Sequence, residues 1–242
     1  MLWRKCRGAS VSCMSESDDQ TKSIRELEAE IRGLKTALSD LERSYDVTLE
    51  SFGDALDLKE ASTEGHSRRV TAFTIVIAKA MGLPIEKIPA IARGAFLHDI
   101  GKLAIPDAIL RKPGKLTPDE MAIMQEHCFK GYQIVQKIPF LVEACDIVYS
   151  HQERYDGTGY PRGLKGEQIP LGARIVAVAN TLDSITSDLP YRPKQSHEAA
   201  REEIIRWSGR QFDPDVVKAF LEIPEDIWGR LRRDISSQAQ RH

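Results

Sequence analysis

The 242-residue chain has no run of ~18 apolar residues, the minimum for a helix that crosses a bilayer, so no membrane span is expected. Cysteine is scarce: Cys6, Cys13, Cys128 and Cys145 form no CxxC pair. A disulfide scaffold is therefore excluded, and a reducing, cytoplasmic location is expected. Neither sign of charge dominates, with 34 Lys+Arg against 36 Asp+Glu and a net charge of -2. That balance argues against a DNA binder held by a broad basic surface. The opening MLWRKCRGASVSC is basic like the start of a signal peptide, but the apolar stretch that should follow is missing, so export is not expected. No internal repeat is found.

What is present points to a folded, helical protein. Hydrophobic residues make up 41% of the chain, too many for a disordered polymer. Met14 opens the polar run MSESDDQTKS and would make a natural amino terminus, leaving residues 1–13 as an upstream extension. Residues 1–19 are expected to be disordered. From Ile24 onward, Ile24, Leu27, Ile31, Leu34, Leu38, Leu41 and Tyr45 recur at alternating spacings of three and four, the a/d seam of a coiled coil. Isoleucine at the first two a positions with leucine at d favours two parallel strands. A coiled-coil helix over residues 20–58 is expected, with a homodimer through residues 24–52.

Residues 59–225 read as nearly all helix. RRVTAFTIVIAKAMGL, AIARGAFLHDI and ARIVAVANTLDSIT are apolar at helical spacing. Thr117, Pro118 and Glu120 form a capping box that starts one helix, and Asp213-Pro214 starts another. Gly82, Gly101 and Gly209 stand where helices would end. A Gly/Pro-rich loop runs from Tyr155 to Pro170, and residues 226–242 read as a tail with a solvated RLRRD face. The expected fold class is all-α.

Four of the six histidines, His66, His98, His127 and His151, fall inside or beside apolar helices, and His98 is followed by Asp99. Burying several imidazoles in one core is costly unless something compensates their polarity, and a metal does so. Mixed imidazole and carboxylate ligands suit iron, manganese or zinc rather than calcium or magnesium. Asp99 has two oxygens with which to bridge two ions. Lys102 would be repelled by a cationic cluster unless an anion lay between them, which makes it a candidate phosphate contact, as are Arg154 and Arg174.

GHSRRV (65–70), HDIGK (98–102), HCFKG (127–131), HQERYDGTGYPRGLKGEQIP (151–170), ARIVAVAN (173–180) and GRQFDPDVVKAF (209–220) together resemble the HD-GYP family, bacterial phosphodiesterases within the HD superfamily of metal-dependent phosphohydrolases. The resemblance implies an HD-type helical bundle, here preceded by the coiled-coil helix. It implies a di- or trinuclear metal centre that hydrolyses cyclic di-GMP to linear pGpG or GMP, and one or two divalent ions, iron or manganese, are expected here. Carried over, it places metal ligands at His66, His98, Asp99, His127 and His151, with Asp99 and Lys102 as catalytic residues. Lys102, Arg154, Tyr160 and Arg174 become substrate contacts. Asp156, Gly157, Gly159, Tyr160 and Pro161 form the motif loop beside the metals, with Tyr160 offering a face to a guanine or a signalling partner.

Two positions depart from the pattern. Where the family carries a second histidine and an aspartate as ligands, this chain has Gln152 and Asn180, neutral amides that coordinate more weakly than an anion. Asp183, one turn beyond Asn180 on the same helical face, is the candidate substitute. The glutamate that accompanies a third metal is Ser62, so a third ion is not expected. The motifs leave open an active phosphodiesterase with an altered metal site, a degenerate module that binds nucleotide or partner proteins without turnover, and a phosphohydrolase acting on another nucleotide.

Overall fold

The computed structural model describes residues 9–60, 65–188 and 193–239. Among the described residues ten α-helices follow one another: α1 (Ala9–Glu60), α2 (His66–Ala80), α3 (Ile88–Phe96), α4 (Asp107–Leu110), α5 (Pro118–Val135), α6 (Val142–Ser150), α7 (Leu171–Thr186), α8 (His197–Arg206), α9 (Pro214–Glu222) and α10 (Glu225–Ala239). No strand occurs among the described residues, so the all-α expectation holds. Short 3-10 turns punctuate the helices, among them Ile100–Ala104.

Contacts divide the chain into residues 1–50 and 51–242. In the first unit, α1 carries the heptad seam as an exposed stripe: Leu27, Ile31, Leu34, Leu38 and Leu41 are 48–64% exposed. Residues 9–19, expected to be disordered, lie within α1, and residues 1–8 fall outside the described residues. The presence of Ser62 in place of glutamate also falls on undescribed structure.

In the second unit, α7 is the central helix. Ile175, Val176, Val178, Ala179 and Leu182 are all fully buried on it, in one cluster with Phe73 and Ile77 of α2, Ile91 of α3, Ile204 of α8 and Phe220 of α9. The short segment of α1 in this unit packs close: a Cβ on Gly53 would stand 2.5 Å from the Phe96 ring. The capping box at Thr117 and the Asp213 cap form as the sequence indicates.

Two readings need correction. The expected tail forms α10, because Trp228, Leu231 and Ile235 repeat at helical spacing and offer an apolar face. Trp228 is 3% exposed and packs edge-on against Phe73 at 5.4 Å and beside Phe220 at 5.5 Å. From the same helix Arg232 of the RLRRD run reaches inward to Asp183 at 2.9 Å instead of into solvent. Gly101, moreover, does not end a helix. It lies in the 3-10 turn Ile100–Ala104, where a Cβ would sit 1.9 Å from the His127 carbonyl oxygen and 2.5 Å from the Gly131 nitrogen. Only a glycine lets the turn that carries His98 and Asp99 press its backbone onto α5.

Candidate metal centre

Four separate elements deliver the imidazoles. His66 opens α2, His98 follows α3, His127 lies in α5, and His151 caps the end of α6. Ring centroids are 5.5 Å apart for His66–His98, 5.1 Å for His98–His151 and 5.2 Å for His127–His151. Histidines dispersed over 85 positions of sequence thus form one continuous group.

Hydrogen bonding fixes which nitrogen faces inward. The Nδ1–H groups of His98, His127 and His151 each donate to a carbonyl three residues earlier: Ala95 at 2.7 Å, Met124 at 2.7 Å and Val148 at 2.8 Å. His66 Nδ1–H donates to Asp183 Oδ2 at 2.8 Å. Every Nε2 is then left as a bare acceptor, the tautomer a metal ligand requires. His127 Nε2 and His151 Nε2 face each other at 3.2 Å, two lone pairs that repel unless a cation lies between them.

Asp99 stands among the rings with its two oxygens turned to different imidazoles. Oδ2 lies 3.1 Å from His98 Nε2, while Oδ1 lies 3.5 Å from His127 Nε2 and 3.4 Å from His151 Nε2. His98 Nε2 and Asp99 Oδ1 are buried with no hydrogen-bond partner, a costly state that coordination would relieve. Two donor groups have their ligand atoms within 4.8 Å of one another: His66, His98 and Asp99, and His127, Cys128 and His151. The donor types and the orphaned atoms fit one or two divalent ions with Asp99 shared.

The electrostatics agree. Burial alone would raise the Asp99 pKa, but the neighbouring His98 and Lys102 hold it well below the usual carboxylate range. Burial, reinforced by His151, pushes His127 down to about 4, and burial lowers His151 as well. Near neutral pH the site therefore holds an anionic Asp99 and neutral His127 and His151, the forms that bind a cation.

The other sequence-derived residues divide. Lys102 belongs to the centre: Nζ donates to Asp99 Oδ2 at 2.7 Å, and its side chain is 20% exposed. Tyr160 is half-buried with its ring centroid 6.3 Å from that of His127, edge to face. Arg154 is held in the motif loop, donating to Thr158 at 3.1 Å and Gln211 at 2.8 Å and lying over Trp207. Arg174 pairs with Asp213, the cap of α9. Both guanidiniums, expected at phosphate, have protein partners in this structure. Asp156 binds Thr158 through its own loop at 2.6 Å. Gly157 has a positive φ of 85°. A Cβ on Gly159 would meet the Arg154 nitrogen at 2.2 Å, so the loop folds flat against 152–154, ending in a cis Tyr160-Pro161 bond.

Asn180 is half-buried on α7, its amide oxygen 3.5 Å from Ser184 Oγ, and the Gln152 carbonyl accepts from Tyr160 N at 3.2 Å. Asp183 does not take over from Asn180. It is fully buried, and besides His66 its carboxylate accepts from Arg69 Nε at 2.7 Å, Arg69 Nη2 at 3.1 Å and Arg232 Nη2 at 2.9 Å. These partners commit it to orienting His66. The sequence reading also passed over Glu153. Its buried carboxylate accepts from the backbone nitrogens of Arg162 at 2.8 Å and Leu164 at 3.0 Å, anchoring the motif loop to the end of α6. An acidic residue beside a candidate ligand was the available signal for it.

A helical shell that converges histidines from four elements on one shared aspartate defines an HD-type centre. Residues 50–216 match the model of the HD domain, and the chain belongs to that family. Within it, the HDIGK turn and the DGTGYP loop, whose Tyr160 ring stands 6.3 Å from that of His127, mark the HD-GYP branch. The chain is 37% identical over 217 residues to a cyclic di-GMP phosphodiesterase of Thermotoga maritima, covering 84% of this chain and 59% of that relative. It is 38% identical to the cyclic di-GMP phosphodiesterase response regulator RpfG of Xanthomonas campestris, covering 88% of this chain and 57% of the relative. It thus spans less than two thirds of these relatives' length. Among solved structures, a cyclic GMP-AMP phosphodiesterase of V. cholerae (V-cGAP3) shares the fold with a TM-score of 0.59 at 22% identity, over 76% of this chain and 52% of that one.

Proposed function

We propose that residues 51–242 hydrolyse a phosphodiester bond of cyclic di-GMP to a linear product, using one or two divalent ions, iron or manganese. The observation that carries this reading is the division of Asp99 between the bare nitrogen of His98 at one oxygen and those of His127 and His151 at the other. The names of the T. maritima and X. campestris relatives supply the substrate. Bound divalent ions supply Lewis-acid activation of water and neutralisation of charge developing at phosphorus.

His66, His98 and Asp99 would hold one ion, and His127, His151 and Asp99 the other, with Asn180 and Gln152 as weak neutral ligands. Lys102 holds Asp99 in the metal-free protein and turns to the phosphate when a cation takes its place. Its partial exposure and that of His66, whose side chain is 13% exposed, mark the substrate's side of the cluster. Tyr160 presents a ring to a guanine at the loop formed by Asp156, Gly157, Gly159 and Pro161.

The amides at Asn180 and Gln152 favour a second reading, a module that binds the cyclic dinucleotide or a signalling protein without turnover. Metal content and cyclic di-GMP turnover of the wild type against an Asn180→Asp, Gln152→His double variant separate the two. The first reading expects measurable wild-type turnover that rises with metal content in the variant. Full metal loading of both proteins without any hydrolysis would overturn it.

We also propose that the seam over residues 24–52, exposed at Leu27, Ile31, Leu34, Leu38 and Leu41, pairs two copies of the chain in the cytoplasm as a parallel coiled coil. The unpartnered leucines at 48–64% exposure support this. Removal of residues 1–50 should yield a monomer by light scattering, whereas a persisting dimer would refute the seam as the assembly device.

A further inference from the structure

Cys128 is fully buried and neighbours His127 on α5. Its Sγ lies 3.5 Å from His127 Nε2, and both lie within 4.8 Å of His151 Nε2. His127 Nε2 and His151 Nε2 are 3.2 Å apart, and Asp99 Oδ1 stands 3.5 and 3.4 Å from them. Ligand atoms on a tetrahedral cation, with bonds of ~2.0–2.3 Å, stand about 3.2–3.7 Å from one another. All four of these separations fall in that range. A second observation is independent of the thiol: Asp99 is 3% exposed, and its Oδ1, turned to this pair of imidazoles, has no hydrogen-bond partner.

We propose that Cys128 is a thiolate ligand of the ion at His127, His151 and Asp99, a refinement that rests on the metal reading above. On coordination the S–H bond breaks heterolytically: its electron pair stays on sulfur to form the bond to the metal, the proton leaves to solvent, and nothing is oxidised or reduced. The thiolate adds a second anion to Asp99, offsetting the charge that Asn180 does not provide. Sulfur also tilts the site toward iron or zinc and away from manganese. An ion enclosed by two imidazoles, a carboxylate and a thiolate resembles a closed site. The part exchanging ligands with substrate then falls to the more open His66, His98 and Asp99 side.

The test is cobalt(II) titration of the full chain followed by absorption spectroscopy. Wild type should show a near-ultraviolet sulfur-to-cobalt charge-transfer band together with visible d–d bands. Cys128→Ser should lose the former, keep d–d bands from the histidine ligands, and bind one of the two ions ~10-fold or more weakly. Cys145→Ser should keep both sets of bands. X-ray absorption on unmodified wild type gives a readout that needs no variant to fold: a sulfur scatterer at ~2.3 Å is expected. If d–d bands appear without the charge-transfer band, or the band survives Cys128→Ser, the thiol is a core side chain and only this inference falls. If no cobalt bands appear at all, the metal reading falls with it.

Discussion

Asp183→Asn tests whether the buried carboxylate behind His66 holds that ligand in place. Asp183 Oδ1 accepts from Arg69 Nε and Arg232 Nη2, and Oδ2 from His66 Nδ1 and Arg69 Nη2. Asparagine has the same shape but keeps a single acceptor oxygen. Whichever way its amide turns, its NH2 faces one of these donor pairs. The substitution also removes the anion that compensates two guanidiniums, one of them (Arg69) only 4% exposed. Breaking a buried ion pair by removing one partner costs about 3–5 kcal/mol. At about 2–4 °C per kcal/mol for a domain of this size, the melting temperature should fall by roughly 6–20 °C. With the NH2 at the Oδ2 position His66 loses the acceptor that fixes its tautomer, and with the NH2 at the Oδ1 position both arginines lose theirs; the first arrangement should weaken binding at the His66 ion ~10–100-fold. Thermal unfolding of the metal-free protein and cobalt titration of the folded variant read the two effects separately. A melting temperature within ~2 °C of wild type, with unchanged metal affinity, would refute the role given to Asp183.

Gly101→Ala should abolish metal binding and cost more than the ~1–3 kcal/mol typical of overpacking, because its Cβ would strike the backbone of α5 and not a movable side chain; chemical denaturation and metal titration check both. Trp228→Ala should cost ~3–5 kcal/mol, and an unchanged denaturation midpoint would show that α10 is dispensable to the fold. Acidification should destabilise the metal-free protein. His127 titrates at about 4 when folded against ~6.5 unfolded, so between those values the unfolded state binds more protons and stability falls with pH. The shift of about 2.5 units corresponds to about 3 kcal/mol at most, fully present above pH 7 and lost progressively as the pH falls from 6.5 to 4; a flat unfolding free energy across that window would contradict the burial of His127.

What the sequence made legible was local or carried by residue type. The heptad over Ile24–Tyr45, the capping box at Thr117 and the Asp213 cap need only neighbours within a few positions, and each lies in a helix or at its start. The histidines were found because four imidazoles in apolar surroundings are chemically conspicuous wherever they stand. Other features depend on approaches that the linear order hides. Arg232 meets Asp183 across 49 positions, so a run that reads as a solvated face becomes a buried clamp. Gly101 looks like a helix stop until α5 is seen lying against it. Arg154 and Arg174 read as phosphate contacts because Gln211 and Asp213, their partners, come from a segment more than 35 residues further on. Cys128 drew no attention, since a lone cysteine beside a histidine has no signature until a second imidazole and a carboxylate oxygen stand at coordination spacing.

The most direct test is an anomalous-scattering map from crystals of the cobalt-loaded protein. It should place density within coordination distance of Asp99 and of the Nε2 atoms of His98, His127 and His151. Bound cobalt elsewhere, with those nitrogens and Asp99 Oδ1 left without a cation, would contradict the account.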